Sequence, residues 1–69
     1  MYYRLKTLRK SNKFTQKFIA EKLNISVSLY SNYETGKASI PVHLLSILSK
    51  LYGTSIDYIV GDTDEIKRH

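Results

Sequence analysis

The stretch from Thr15 to Gly36, TQKFIAEKLNISVSLYSNYETG, decides the fold of this chain. The Thr15 hydroxyl can accept a hydrogen bond from a free backbone N–H and open a helix. Behind it, Phe18, Ile19, Ala20 and Leu23 form an apolar stripe at helical intervals. Asn24 ends that helix. Asparagine tolerates left-handed backbone better than any residue but glycine, so Asn24 can turn the chain and direct Ile25 into the core. Ser26 opens a second helix, in which Tyr30 and Tyr33 point inward at i, i+3, while Val27, Ser28 and Asn32 share the opposite side until Gly36 offers a C-terminal cap. Ala20 is small where the two helices must approach closely. The segment reads as two short amphipathic helices at a tight corner, the second with small polar side chains facing out. A corner of this kind, taken alone, fits many small helical proteins.

The three glycines, at 36, 53 and 61, each follow a helical pattern by one step and read as successive helix stops. The first helix runs from about Tyr2 to Lys10 with Leu5 and Leu8 inward; the second and third span about Gln16 to Leu23 and Val27 to Thr35. The fourth begins at Pro41, whose fixed φ suits a first turn, and turns Leu44, Leu45, Leu48, Leu51 and Tyr52 to the core. The fifth is short: Ser55 caps it, Asp57 suits its positive end, and Ile56, Ile59 and Val60 give it an apolar side. The β-branched residues never alternate cleanly, so no strand competes. The expectation is an all-α domain of five helices over residues 1–61, with a short charged tail over 62–69 that either frays or extends the last helix. No internal repeat, linker or low-complexity segment interrupts it.

Among 69 residues the formal net charge is +5. It is distributed unevenly: residues 1–50 carry nine Lys or Arg against Glu21 and Glu34, whereas residues 51–69 carry Lys67 and Arg68 against Asp57, Asp62, Asp64 and Glu65. The positive field sits on the half that contains the corner. A polyanion is a natural partner for such a field, because Lys and Arg that neutralise phosphates release counterions. A Lys-rich helix face can equally be no more than solvated.

Other functions find little support. Cysteine is absent, which excludes disulfides and thiolate metal sites and fits a reducing cytoplasm. No apolar run approaches the roughly 20 residues that span a bilayer, and Met1 to Lys10 mixes charge with apolar residues in place of a signal-peptide core. His43 and His69 are the only histidines, with no ligand cluster between them, and both are expected at the surface. Four of the six acidic residues lie at the chain's end, and the isolated glycines make no phosphate loop. We expect no enzyme, no metal and no cofactor.

The fragments T-Q at 15–16, Leu23-Asn24-Ile25-Ser26, Tyr33-Glu34 before Gly36-Lys37, and Ser55-Ile56-Asp57-Tyr58-Ile59-Val60-Gly61 come in an order and spacing that resembles the lambda-repressor-like family, the Cro/repressor type of bacterial and phage regulators. The resemblance covers about residues 2 to 61. It implies a cytoplasmic transcriptional regulator that binds double-stranded operator DNA, usually as a symmetric homodimer, with the third helix in the major groove. By the same resemblance Val27, Ser28 and Asn32 face base edges, and Gln16, Thr35 and Lys37 meet phosphates; Leu29, one step on, is added to the base-facing set, and Lys17 and Ser26 to the phosphate set.

Side-chain chemistry ranks these positions. Asn32 can pair in a bidentate way with adenine N6 and N7; Ser28 donates or accepts and discriminates poorly; Val27 offers apolar contact to a thymine methyl. Leu29 is read either as a second methyl contact or as a half-buried residue. Gln16 also opens a helix, where free N–H groups attract anions. Arg9 and Glu34 match a family ion pair that ties the first helix to the third, a structural role suited to bidentate geometry.

Three positions depart from the family. Asn24 replaces a usual glycine. Tyr30 replaces a branched aliphatic, so its hydroxyl needs a partner or a path to the surface. Val42 stands where some members place a minor-groove arginine. The reading face has no Arg or Gln at its front, so part of its specificity is expected from DNA shape and dimer spacing. Tyr52, Ile56, Tyr58 and Ile59 are expected to leave an apolar remainder for a twin. The competing reading is a protein-interaction module, such as an antitoxin or anti-regulator half, that binds a partner through the fourth and fifth helices. No small-molecule effector is evident.

Overall fold

The computed structural model describes residues 4–61, which form α1 (Leu5–Ser11), α2 (Gln16–Leu23), α3 (Val27–Thr35), α4 (Val42–Tyr52) and α5 (Ile56–Val60). No strand occurs among the described residues. Tyr2, in the expected first helix, and the tail over 62–69 lie outside them.

Capping chemistry explains where α2, α3 and α5 begin. Thr15, Ser26 and Ser55 sit in extended backbone, and each side-chain oxygen accepts the N–H three residues on, from Phe18, Leu29 and Tyr58, at 3.0 Å. The α2–α3 corner is set by Asn24 at φ 58°, ψ 45°, from which Ile25 donates back to the Ala20 carbonyl at 3.0 Å. Ala20 is buried there, with no side chain large enough to hold the helices apart. Gly36, at φ 83°, performs the equivalent stop for α3.

The core collects one face from every helix: Leu5, Ile19, Ala20, Leu23, Tyr30, Tyr33, Leu44, Leu45, Leu48 and Ile59, with Ile40 from the α3–α4 loop. Leu8, Phe14, Phe18, Ile25, Tyr52, Ile56 and Val60 pack around it half-buried. Phe14 and Phe18 stack with centroids 4.6 Å apart and close the α1–α2 turn. Within that turn Lys13 holds φ 59°, a left-handed conformation that costs a Cβ-bearing residue.

Tertiary contacts correct four expectations. Helix α1 starts at Leu5, with Arg4 as its non-helical cap (φ −89°, ψ 23°) whose N–H donates to the Ile59 carbonyl at 2.6 Å, and α1 continues to Ser11. Pro41 is the extended cap residue (ψ 155°) and Val42 the first helical one, so its locked φ prepares the first turn from one position further out. Leu51 lies at the rim of α4, 36% exposed, since Leu44, Leu45 and Leu48 already fill the groove. Ile59 is fully buried and plugs the core, which removes it from any dimer face.

The loop joining α4 to α5 is inside the fold. Thr54 is fully buried; its carbonyl accepts from Ser49 Oγ and its N–H donates to the Ser49 carbonyl, but its own hydroxyl has no hydrogen-bond partner. A buried hydroxyl without a partner costs about 1 kcal/mol or more. Thr54→Val keeps the shape and removes that cost, so chemical denaturation should show a gain of about 1 kcal/mol.

Candidate nucleic-acid interface

The first residues of α2 and the outward side of α3 share one surface. Thr15 caps the Phe18 N–H and the first intrahelical bond runs from Ile19 to Thr15, which leaves the N–H groups of Gln16 and Lys17 for an outside acceptor. Neither α2 nor α3 has an acidic residue in its first turn, so the positive ends of both dipoles are uncompensated. In α5, by contrast, Asp57 offsets that end.

On α3, Val27, Ser28 and Leu29 are exposed, the two apolar ones at 41% and 36%, and Asn32 is half-buried. These four make one outward strip. Ser26 is exposed with its oxygen committed to the cap, which leaves its O–H free to donate. Lys17, in the first turn of α2, and Lys37, in the turn after Gly36, are both exposed.

Thr35 is differently placed. Its hydroxyl proton is directed at the carbonyls of Ser31 (3.1 Å) and Asn32 (3.3 Å), so this rotamer offers an acceptor-only phosphate nothing to bind. Asn32 also anchors the following turn, its carbonyl accepting the Ala38 N–H at 3.2 Å.

Behind the strip lies one buried charge pair. Arg9 Nε donates to Glu34 Oε2 at 2.6 Å and a second guanidinium nitrogen to Oε1 at 3.3 Å, with side-chain exposures of 11% and 4%. A third Arg9 nitrogen donates to the Phe14 carbonyl at 3.0 Å. Gln16 Nε2 donates to Glu34 Oε1 at 3.0 Å, so the first residue of α2 is tied to the last turn of α3.

Burial pushes the Glu34 carboxyl up, but the hydrogen bonds from Arg9 and Gln16 and the Arg9 charge outweigh it and hold it below its ordinary value. The Tyr30 hydroxyl faces the same carboxylate, and burial together with that negative charge raises its pKa strongly. It has neither of the outlets its sequence position called for. The ring is fully buried and its oxygen makes no hydrogen bond of acceptable geometry. Tyr52 is half-buried beside Phe14, its hydroxyl also enclosed and pushed up to about 12 by burial and the Glu34 charge, against the lowering effect of Arg9.

Two of these features had no signal in the sequence. The Gln16–Glu34 bond spans 18 positions, and no local pattern announces it. Arg4 covers the Tyr58 ring at 4.3 Å and donates to the Tyr58 carbonyl at 2.6 Å, so the start of α1 occupies part of the surface expected for a twin. Of the four residues assigned to that surface, Ile56 and Tyr58 keep partial exposure, Tyr52 turns its hydroxyl inward and Ile59 is enclosed. Apart from Val27 and Leu29 on α3, large apolar exposure among the described residues falls on α4, at Val42 (70%), Ile47 (41%) and Leu51.

Two helices crossing at a left-handed corner, the second with its polar side outward, define a helix-turn-helix domain within an all-α lambda-repressor-like fold. The helix-turn-helix family model matches residues 5–59, and the chain belongs to that family. Three curated relatives come from Bacillus subtilis (strain 168). The uncharacterized HTH-type transcriptional regulator YobD is 45% identical over 62 residues, 90% of this chain and 55% of YobD. The HTH-type transcriptional regulator ImmR is 41% identical over 66 residues, 96% of this chain and 52% of ImmR. The HTH-type transcriptional regulator AnsR is 33% identical over 58 residues, 84% of this chain and 50% of AnsR. The chain thus spans about half the length of the curated relatives it matches. No solved structure gives a significant match. No described helix is long and apolar enough to cross a membrane.

The charge pair sets two expectations. Arg9→Ala leaves the Glu34 carboxylate buried and unpaired, so unfolding should lose about 3 kcal/mol before any change in binding preference, read by thermal melts. The second concerns acid. A carboxyl held below its ordinary 4.5 stabilises the fold above that pH, and the contribution disappears as pH falls through the folded value. Melts from neutral pH downward should hold steady to near 4.5 and then drop, with a shallower drop in Glu34→Gln.

Proposed function

We propose that this chain is a sequence-specific DNA-binding transcriptional regulator, of repressor type, that inserts α3 into the major groove of a near-palindromic operator. The observation that carries this reading is the outward strip of α3, where Val27, Ser28 and Leu29 are exposed, Asn32 is half-buried and none of the four belongs to the buried core. The open N–H end of α2 and the exposed Lys17 and Lys37 lie on the elements next to it in the chain. In this reading Asn32 pairs with adenine, Ser28 donates or accepts, and Val27 and Leu29 meet thymine methyls. Gln16, Lys17, Ser26 and Lys37 grip phosphates along the groove walls. Thr35 joins them only after its hydroxyl rotates away from the helix carbonyls.

The regulator acts as a homodimer, with the two reading helices about 34 Å apart, one duplex turn. The exposed Ile47 and Leu51 on α4, with the partly exposed Ile56 and Tyr58 on α5, supply its apolar face. The same α4 residues support a second reading, a module that binds another protein through α4 and α5. Ionic strength separates the two. Binding through about six phosphates should weaken roughly a thousandfold between about 50 and 200 mM salt, whereas an apolar interface should barely respond.

Selection of bound duplexes from a random pool should return two inverted half-sites. Asn32→Ala should then cost about 1–3 kcal/mol on the selected duplex and relax preference at one adenine per half-site, with an unchanged melt. A pool that stays unenriched at every salt concentration overturns the reading.

A further inference from the structure

We infer that Glu34 is a positioning residue for DNA binding: from the last turn of α3 it fixes the Gln16 carboxamide so that the amide nitrogen, and not the oxygen, is oriented for a phosphate. The inference rests on the reading of Gln16 as a phosphate contact. A free glutamine presents either end of its amide, and only the N–H₂ end can bind an acceptor-only phosphate. A carboxylate is also acceptor-only, so the 3.0 Å contact with Glu34 Oε1 selects Nε2. One of its two N–H groups binds Glu34, and the other stays available on the same nitrogen.

Glu34 itself cannot swing. Arg9 holds both its oxygens and its side chain is 4% exposed. The amide at the start of α2 is therefore oriented by the helix that carries the base-facing strip, which sets the phosphate contact and the reading side chains in one register. Its side-chain torsions are also fixed before DNA arrives, which lowers the entropic cost of the contact.

A double-mutant cycle on the selected duplex tests this. Replacing the buried pair together, Arg9→Met with Glu34→Leu, avoids an unpaired charge and leaves Gln16 unheld. Gln16→Ala should weaken binding about tenfold. The paired replacement should weaken binding about fivefold when residue 16 is Gln and have no effect when it is Ala. Equal weakening in both backgrounds, or none in the Gln background, overturns the inference. Full affinity of Gln16→Ala alone overturns the phosphate reading beneath it and leaves the Glu34 bond a matter of stability.

A measurement on the unaltered protein guards against a paired variant that does not fold. Gln16 is the only glutamine, so its side-chain amide can be assigned by NMR. Order parameters near those of the backbone support the inference, and a freely rotating amide overturns it.

Discussion

A single carboxylate organises this domain. Glu34 is buried on the inner side of α3, where an unpaired negative charge would be costly, and it is kept ionised by a guanidinium from α1 and an amide from α2. Three helices converge on two oxygens. A hydrophobic core of ten or so side chains could tolerate small rotations of α3 against α2, because dispersion contacts have no direction; the ion pair and the amide bond do. The crossing that presents α3 outward is thus held by directional polar contacts at one end and by the left-handed Asn24 corner at the other.

The same economy appears in the helix ends. Three serine or threonine oxygens satisfy the donors that open α2, α3 and α5, yet the first N–H groups of α2 keep no internal partner. In the first turn of α5, Asp57 balances the helix dipole. Where α2 and α3 open, nothing balances it. The uncompensated positive end of α2 is adjoined by the exposed Lys17 in its own first turn.

Much of this was legible in the amino-acid sequence wherever the controlling physics is local. The bounds of α2 and α3 follow from Thr15, Asn24, Ser26 and Gly36, because caps act within four residues of themselves. The start of α1 did not follow, since Arg4 takes a non-helical conformation while its N–H bonds to Ile59 across the fold. Ile59 and Ile56 look alike on a helical wheel, and only packing places the first inside and leaves the second half-exposed. Of the candidate site, the positions on α3 could be listed by periodicity, and the Arg9–Glu34 pairing by resemblance. The Gln16–Glu34 bond and the Thr35 rotamer required coordinates, because each depends on where a flexible polar end finds its lowest-energy partner.

The separation of tasks along α3 has a consequence for descent. Tyr30, Tyr33 and Glu34 carry the cohesion of the helix, while Val27, Ser28 and Leu29 bear none of it. Substitutions at the latter three cost the scaffold little. On the proposed reading, a lineage built on this framework can change its genomic address gradually, one codon at a time, with no folding crisis to cross between one target and the next.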